Sequence, residues 1–130
     1  MPAATKHLTE EDRLEAGATY VRTWKFVRTA GGTAHDLTAH TTWRARFRKN
    51  YDDSTFFDAT ITGPFDTTGT VTMQVSDAAT AAYARSSAAA GRDGMQGVWD
   101  LESVNSGSGA VTRWLEGTWL MSEEATYDNP

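Results

Sequence analysis

The sequence predicts an all-β domain, a sandwich or a barrel, on three observations. Apolar and polar residues alternate at period two over most of the chain, the alternating runs are short, and Gly, Pro, Asn, Asp and Ser separate them. No string of helices alternates with these runs, which disfavours a parallel sheet. At 130 residues the chain fits one domain that can bury a core without covalent staples. Cysteine is absent, so disulfides, thiol nucleophiles and Cys-based zinc sites are excluded, and packing must supply the stability.

Residues 1–17 stand apart as an arm. Thr9 followed by Glu10, Glu11 and Asp12 reads as the start of a short helix, with a side-chain cap and acids at the positive end of the dipole. Leu14 and Ala16 are its candidates for burial, and Gly17 stops it. Such a helix either lies on its own domain or docks on a neighbouring subunit.

Residues 18–122 form the β-domain. Over Thr19–Thr29, Tyr20, Trp24 and Phe26 alternate with Val21, Thr23 and Val27, giving a first strand whose indole and phenyl rings turn inward. Asp36-Leu37-Thr38 is a strand-entry turn, because short side-chain oxygens can hold a nearby backbone N–H. The alternation is cleanest over Thr41–Arg48, with Trp43, Ala45 and Phe47 on one face and Arg44, Arg46 and Arg48 on the other. Thr55–Thr62 places Phe57, Ala59 and Ile61 inward against Phe56, Asp58 and Thr60. After Gly63-Pro64, the run from Gly69 turns Val71, Met73 and Val75 inward. Ser76 or Asp77 caps a short Ala-rich helix anchored by Tyr83. Ser86–Gly94 reads as a loop, Val98–Glu102 as a strand, Asn105–Gly109 as a hairpin turn and Ala110–Met121 as the last strand. Residues 123–130 are an acidic tail.

The order of these segments resembles the immunoglobulin-like domain of bacteriophage tail and baseplate proteins, including the N-terminal part of baseplate upper proteins. The likeness is carried by Gly17-Ala-Thr-Tyr-Val-Arg-Thr-Trp-Lys-Phe26, Asp36-Leu-Thr-Ala-His40, Trp43-Arg-Ala-Arg-Phe-Arg48 and Gly69-Thr-Val-Thr-Met73. It continues through Ser76-Asp-Ala-Ala-Thr-Ala-Ala-Tyr83, Gly97-Val-Trp-Asp-Leu-Glu102 and Gly109-Ala-Val-Thr-Arg-Trp-Leu-Glu-Gly117. It extends over about residues 17–125, and order and spacing carry it rather than any one tetrapeptide. Ala39 stands where such domains usually have Gly, and the Ser86–Gly94 loop is longer and more polar than theirs. The resemblance implies an immunoglobulin-like antiparallel β-sandwich and a non-enzymatic structural role in a virion. Tail or baseplate comes first, capsid decoration or a minor head protein second. It implies other virion proteins as partners, several copies in a symmetric assembly, and assembly in the host bacterial cytoplasm.

The residues themselves offer little reactive chemistry. His35 and His40 flank a turn and could converge on a metal with Asp36, and His7 lies in the arm. No Cys, helical His pair or carboxylate–His cluster supports a metal site, so neither metal nor cofactor is expected. Asp52, Asp53 and Asp58 invite comparison with paired catalytic carboxylates, but neighbouring acids in a polar turn are usually solvated. No Ser sits in a nucleophile elbow, and Gly91-Arg-Asp-Gly94 lacks the Lys of a phosphate loop. A net charge of −5 argues against general nucleic-acid binding. No run reaches the length of a membrane span, and Met1–Thr9 lacks the order of a secretion signal.

Candidate contact residues remain. Arg44, Arg46 and Arg48 make a cationic stripe suited to an acidic partner, since guanidinium pairs bidentately with carboxylate. Its plain alternative is a solvated face with local salt bridges. Trp114 and Trp119 are an odd number of positions apart, so a regular strand exposes one of them unless a bulge intervenes. Phe56, opposite in phase to Phe57, is a further outward candidate. An exposed Trp would anchor a partner or, in a function of a different class, serve a carbohydrate-binding module as a sugar platform.

Overall fold

The computed structural model describes residues 3–28, 32–85 and 95–122. The tip of the turn after the first strand, the 86–94 loop and the acidic tail lie outside that range. The elements run β1 (Ala4–Thr5), a 3-10 turn (Glu10–Asp12), β2 (Leu14–Glu15), β3 (Tyr20–Lys25), β4 (His40–Arg48), β5 (Phe56–Thr62) and β6 (Thr70–Val75). Helix α1 (Asp77–Arg85), β7 (Gln96–Asn105) and β8 (Val111–Ser122) complete them. The protein is all-β, and the one α-helix among the described residues is the one the alanine run predicts, with Ser76 Oγ accepting from Ala79 N–H (3.1 Å) and Tyr83 buried.

The strands follow one hydrogen-bonded path, β1-β8-β7-β4-β5-β6-β3, with β2 also on β8. From β3 to β8 every pairing is antiparallel, whereas β1 and β2 both run parallel to β8. The path curls into a half-barrel at β5, whose first half pairs with β4 (Ala45↔Ala59, Phe47↔Phe57) and whose second half pairs with β6 (Ile61↔Met73). A strand that changes neighbour along its length turns the corner between two layers. Across that corner Trp24 of β3 stacks on Trp99 of β7 (centroids 6.2 Å apart), and Phe26 stacks on Trp114 (4.8 Å). One bent, mixed sheet therefore stands in place of an all-antiparallel one.

The arm corrects the sequence expectation. Thr9 is extended and makes no side-chain cap, Glu10 sits at φ 53°, and only a 3-10 turn forms. Leu8 and Leu14 explain why, since both are fully buried. Six residues apart, they would lie on different sides of an α-helix. Burying two leucines outweighs a helix too short to hold itself together. The extended arm instead adds to β8, with Lys6 N–H donating to Glu116 O and Leu8 N–H to Thr118 O (2.8 Å each). Gly117 permits this approach, because a Cβ there would overlap the Lys6 carbonyl oxygen. The arm is part of its own domain's core.

Candidate interaction face

Period two decides what lies inside. Ala45, Phe47, Phe57, Val71, Met73, Val75, Trp99 and Leu101 are buried, as the alternation predicts. Their rings fill the curl, with Phe47 stacked on both Phe57 (4.9 Å) and Trp99 (5.6 Å). The outer side of the sheet is therefore the surface on which contacts can be made.

Trp114 and Trp119 do not reach that surface, which corrects the expectation that one of them is an exposed anchor. Leu101 pairs with Leu115 but Glu102 pairs with Arg113, so Trp114 is an extra residue in a β-bulge. The bulge shifts the phase, and both indoles turn inward, Trp114 to 7% and Trp119 to 1% exposure. Trp114 Nε1 donates to Ser103 Oγ (2.9 Å), and Trp119 Nε1 to Arg48 O (3.1 Å). A sugar platform built on either indole has no exposed ring to offer.

Arg44, Arg46 and Arg48 do point outward, but they do not form a free cationic stripe. Arg44 binds Glu102 and Arg46 forks onto Asp58 through Nε (2.8 Å) and Nη2 (3.0 Å). The Asp58 hydrogen bond raises the pKa of Arg46, chiefly by favouring its charged form. Arg48 donates to the carbonyls of Tyr51 (2.9 Å) and Asp53 (3.4 Å). Phe56 is 40% exposed, as its phase requires, and Arg46 lies over its ring at 3.7 Å from the centroid. One strand further, Arg113 is 3.5 Å from Asp100, 3.9 Å from Glu102 and 3.6 Å from Glu116. Four arginines (Arg44, Arg46, Arg48 and Arg113) and four carboxylates (Asp58, Asp100, Glu102 and Glu116) stand across β5, β4, β7 and β8, so this half of the face is a neutral lattice in which Arg48 alone is met by carbonyls.

Asp100 is its tightest point. It is 8% exposed, its Oδ1 has no hydrogen-bond partner among the described residues, and it lies opposite Glu116 in the β7–β8 register. Burial pushes its carboxyl above the usual carboxylate range, while Arg113 pulls the other way. Arg113 reaches Asp100 and Glu102 across the strand pair and Glu116 on its own strand, and the bulge sets which of these acids it can meet.

The other half of the outer face is different in kind. The registers align Thr62, Thr72 and Thr23 in one row, and Thr60, Gln74 and Val21 in the next, with Thr70 beside Lys25. Lys25 is the single charge among these positions. Thr23 and Thr72 share a hydroxyl hydrogen bond (3.3 Å). Sequence reasoning passed over these threonines as spacers between apolar residues. The signal was present, as Thr-x-Thr at 60–62 and again at 70–72.

The histidines are tied into packing. His35 and His40 meet Trp114 edge-on at 5.0 and 5.3 Å, and His40 Nδ1 is 2.8 Å from Ser103 Oγ. Burial, followed by His35, lowers the pKa of His40. His7 Nδ1 is 2.8 Å from Thr118 Oγ1. Asp36 Oδ1 accepts from both Thr38 N–H (3.0 Å) and its hydroxyl (2.7 Å), the turn that its sequence predicts. Asp58 is engaged by Arg46, and Asp53 Oδ2 accepts from Asn50 N–H (3.1 Å). Among the described residues no group of three or more His, Asp or Glu side chains could hold a metal ion.

No protein-family model matches the chain, and no curated protein is significantly similar to it.

Proposed function

We propose that this chain is a non-enzymatic structural component of a bacteriophage virion, most naturally of the tail or baseplate region, that assembles by binding other virion proteins. The segment order from Gly17 to Gly117, which resembles the immunoglobulin-like domains of such particles, carries this reading. The finer assignment of the bent sheet to the immunoglobulin-like class belongs to the same proposal. The two-layer packing of Trp24 on Trp99 and of Phe26 on Trp114 supports it. The division of the outer face supports the assembly role. A neutral ion-pair lattice has little charge left for a partner, whereas the threonine rows leave a broad surface whose burial costs less desolvation than that of charges.

The test is mass spectrometry of purified particles from the source, separated into tails and heads. The reading predicts the chain in the tail fraction. Recovery with heads would replace it by capsid decoration, and absence from both fractions would overturn the virion role.

A further inference from the structure

We propose that the free edge of β3 is a self-association surface, on which two copies of this chain pair their β3 strands antiparallel about a twofold axis through Thr23. The inference concerns the isolated chain, so it goes beyond the virion reading and stands or falls without it.

Among the described residues β3 is the last strand of the sheet path and pairs with β6 alone. Phe26 N–H donates to Gly69 O (2.8 Å), which fixes the phase of the ladder. Counting back in twos, Trp24, Arg22 and Tyr20 direct their backbone groups at β6. Val21, Thr23 and Lys25 therefore direct theirs away from it. All three are exposed, Val21 by 45%. Among the described residues the Val21 carbonyl accepts from the guanidinium of the next residue, Arg22 Nη1 at 2.8 Å. A row of such groups is a template for another strand.

Charge and shape select a second copy as the occupant. Pairing about Thr23 sets Thr23 against Thr23 of the second copy, repeating the contact Thr23 already makes with Thr72. It sets Lys25 against Val21 of the second copy, so no cation faces a cation, and each such pair exchanges two backbone hydrogen bonds. The surface beside the new junction is the uncharged array of Thr72, Gln74, Thr60, Thr62 and Thr70. Approach of a second copy therefore sets no cation directly opposite another, Arg22 and Lys25 being the charges of the strand. Arg22 is the residue that could guard this edge, since charges on short edge strands discourage pairing. Its Nε lies 3.5 Å from Asp12 of the arm and its Nη1 holds the Val21 carbonyl, one exposed contact that an incoming strand must displace.

The experiment is sedimentation velocity of the full chain over a concentration series, for wild type, Thr23→Pro and Val21→Lys. Proline at 23 deletes an outward N–H and no bond to β6. Lysine at 21 sets a cation against Lys25 of the second copy and leaves the backbone intact. Wild type is expected to move from one-chain to two-chain mass as concentration rises. Both variants should stay at one-chain mass, with near-ultraviolet circular dichroism confirming their folds. Raised salt should partly restore pairing of Val21→Lys. A wild type that keeps one-chain mass throughout, or a folded Val21→Lys that pairs like wild type, overturns the proposal.

Discussion

The outer face of this sheet has two halves with opposite economies. Over β4, β7, β8 and the start of β5, each Arg finds a carboxylate or carbonyl within the chain. Over the end of β5, β6 and β3, the outward residues are Thr, Gln and Val with one Lys. The inner sides differ too. Beneath the charged half lie Trp99, Trp114, Trp119 and Phe47, and beneath the other half lie Val71, Met73 and Val75 of β6 with Tyr20 and Trp24 of β3. The comparison teaches that a visible charge stripe is a poor guide to a partner. A stripe reports unmet charge only if the neighbouring strands fail to answer it, and here they answer it.

The largest predicted effect tests the inner side of the charged half. Trp119→Ala removes a fully buried indole that meets Phe57 and Tyr83 edge-on (5.4 and 5.6 Å). It should cost about 3–5 kcal/mol of stability in urea unfolding. A loss below about 1 kcal/mol, the scale of a surface substitution, would mean that the ring is an exposed anchor after all. Gly117→Val should be of similar size, because its side chain displaces the Lys6 carbonyl and with it the arm.

Asp100→Asn probes the lattice through pH. The folded pKa of Asp100 is raised above its ordinary 3.8, so between those two values the native state holds the proton more firmly than the unfolded state does. Its ionisation therefore costs stability as pH rises through that window, and the cost is complete above the folded pKa. The stability of the variant relative to wild type should increase from pH 4 to pH 7, measured as urea midpoints. The same difference at both values would contradict the buried-acid account.

Smaller effects complete the contrast. Arg46→Ala removes a partly exposed ion pair and a contact with Phe56, and should cost about 1 kcal/mol. Half or more of that loss should vanish at high salt. On the other half, Thr62→Ala and Thr72→Ala should each change stability by no more than about 0.5 kcal/mol. A larger loss at either threonine would make that half a structural surface rather than a free one.

Much of this was legible in the residues. The strands β4, β5, β6 and β8, the Ala-rich helix, the Asp36 turn and the outward phase of Arg44, Arg46, Arg48 and Phe56 all follow from alternation and local hydrogen bonding. Each is decided within a few residues. What was not legible depends on pairing between distant segments. The helix expected at Glu10 gave way to extended backbone because Leu8 and Leu14 meet β8, more than a hundred residues away. Trp114 and Trp119 face the same way because of a bulge that only the register with β7 reveals. The cationic stripe lost its meaning for the same reason, since Glu102 and Asp58 come from other strands. The parallel pairing of the arm with β8 left no mark in the period of the sequence.

The most direct test of the two-halves account is amide hydrogen exchange of the chain at low and high concentration. The account predicts concentration-dependent protection confined to Val21, Thr23 and Lys25 and their neighbours on β6, with β4, β7 and β8 unchanged. Protection that instead appears around Arg44, Arg46 and Arg48 would place the contact on the charged half and contradict it.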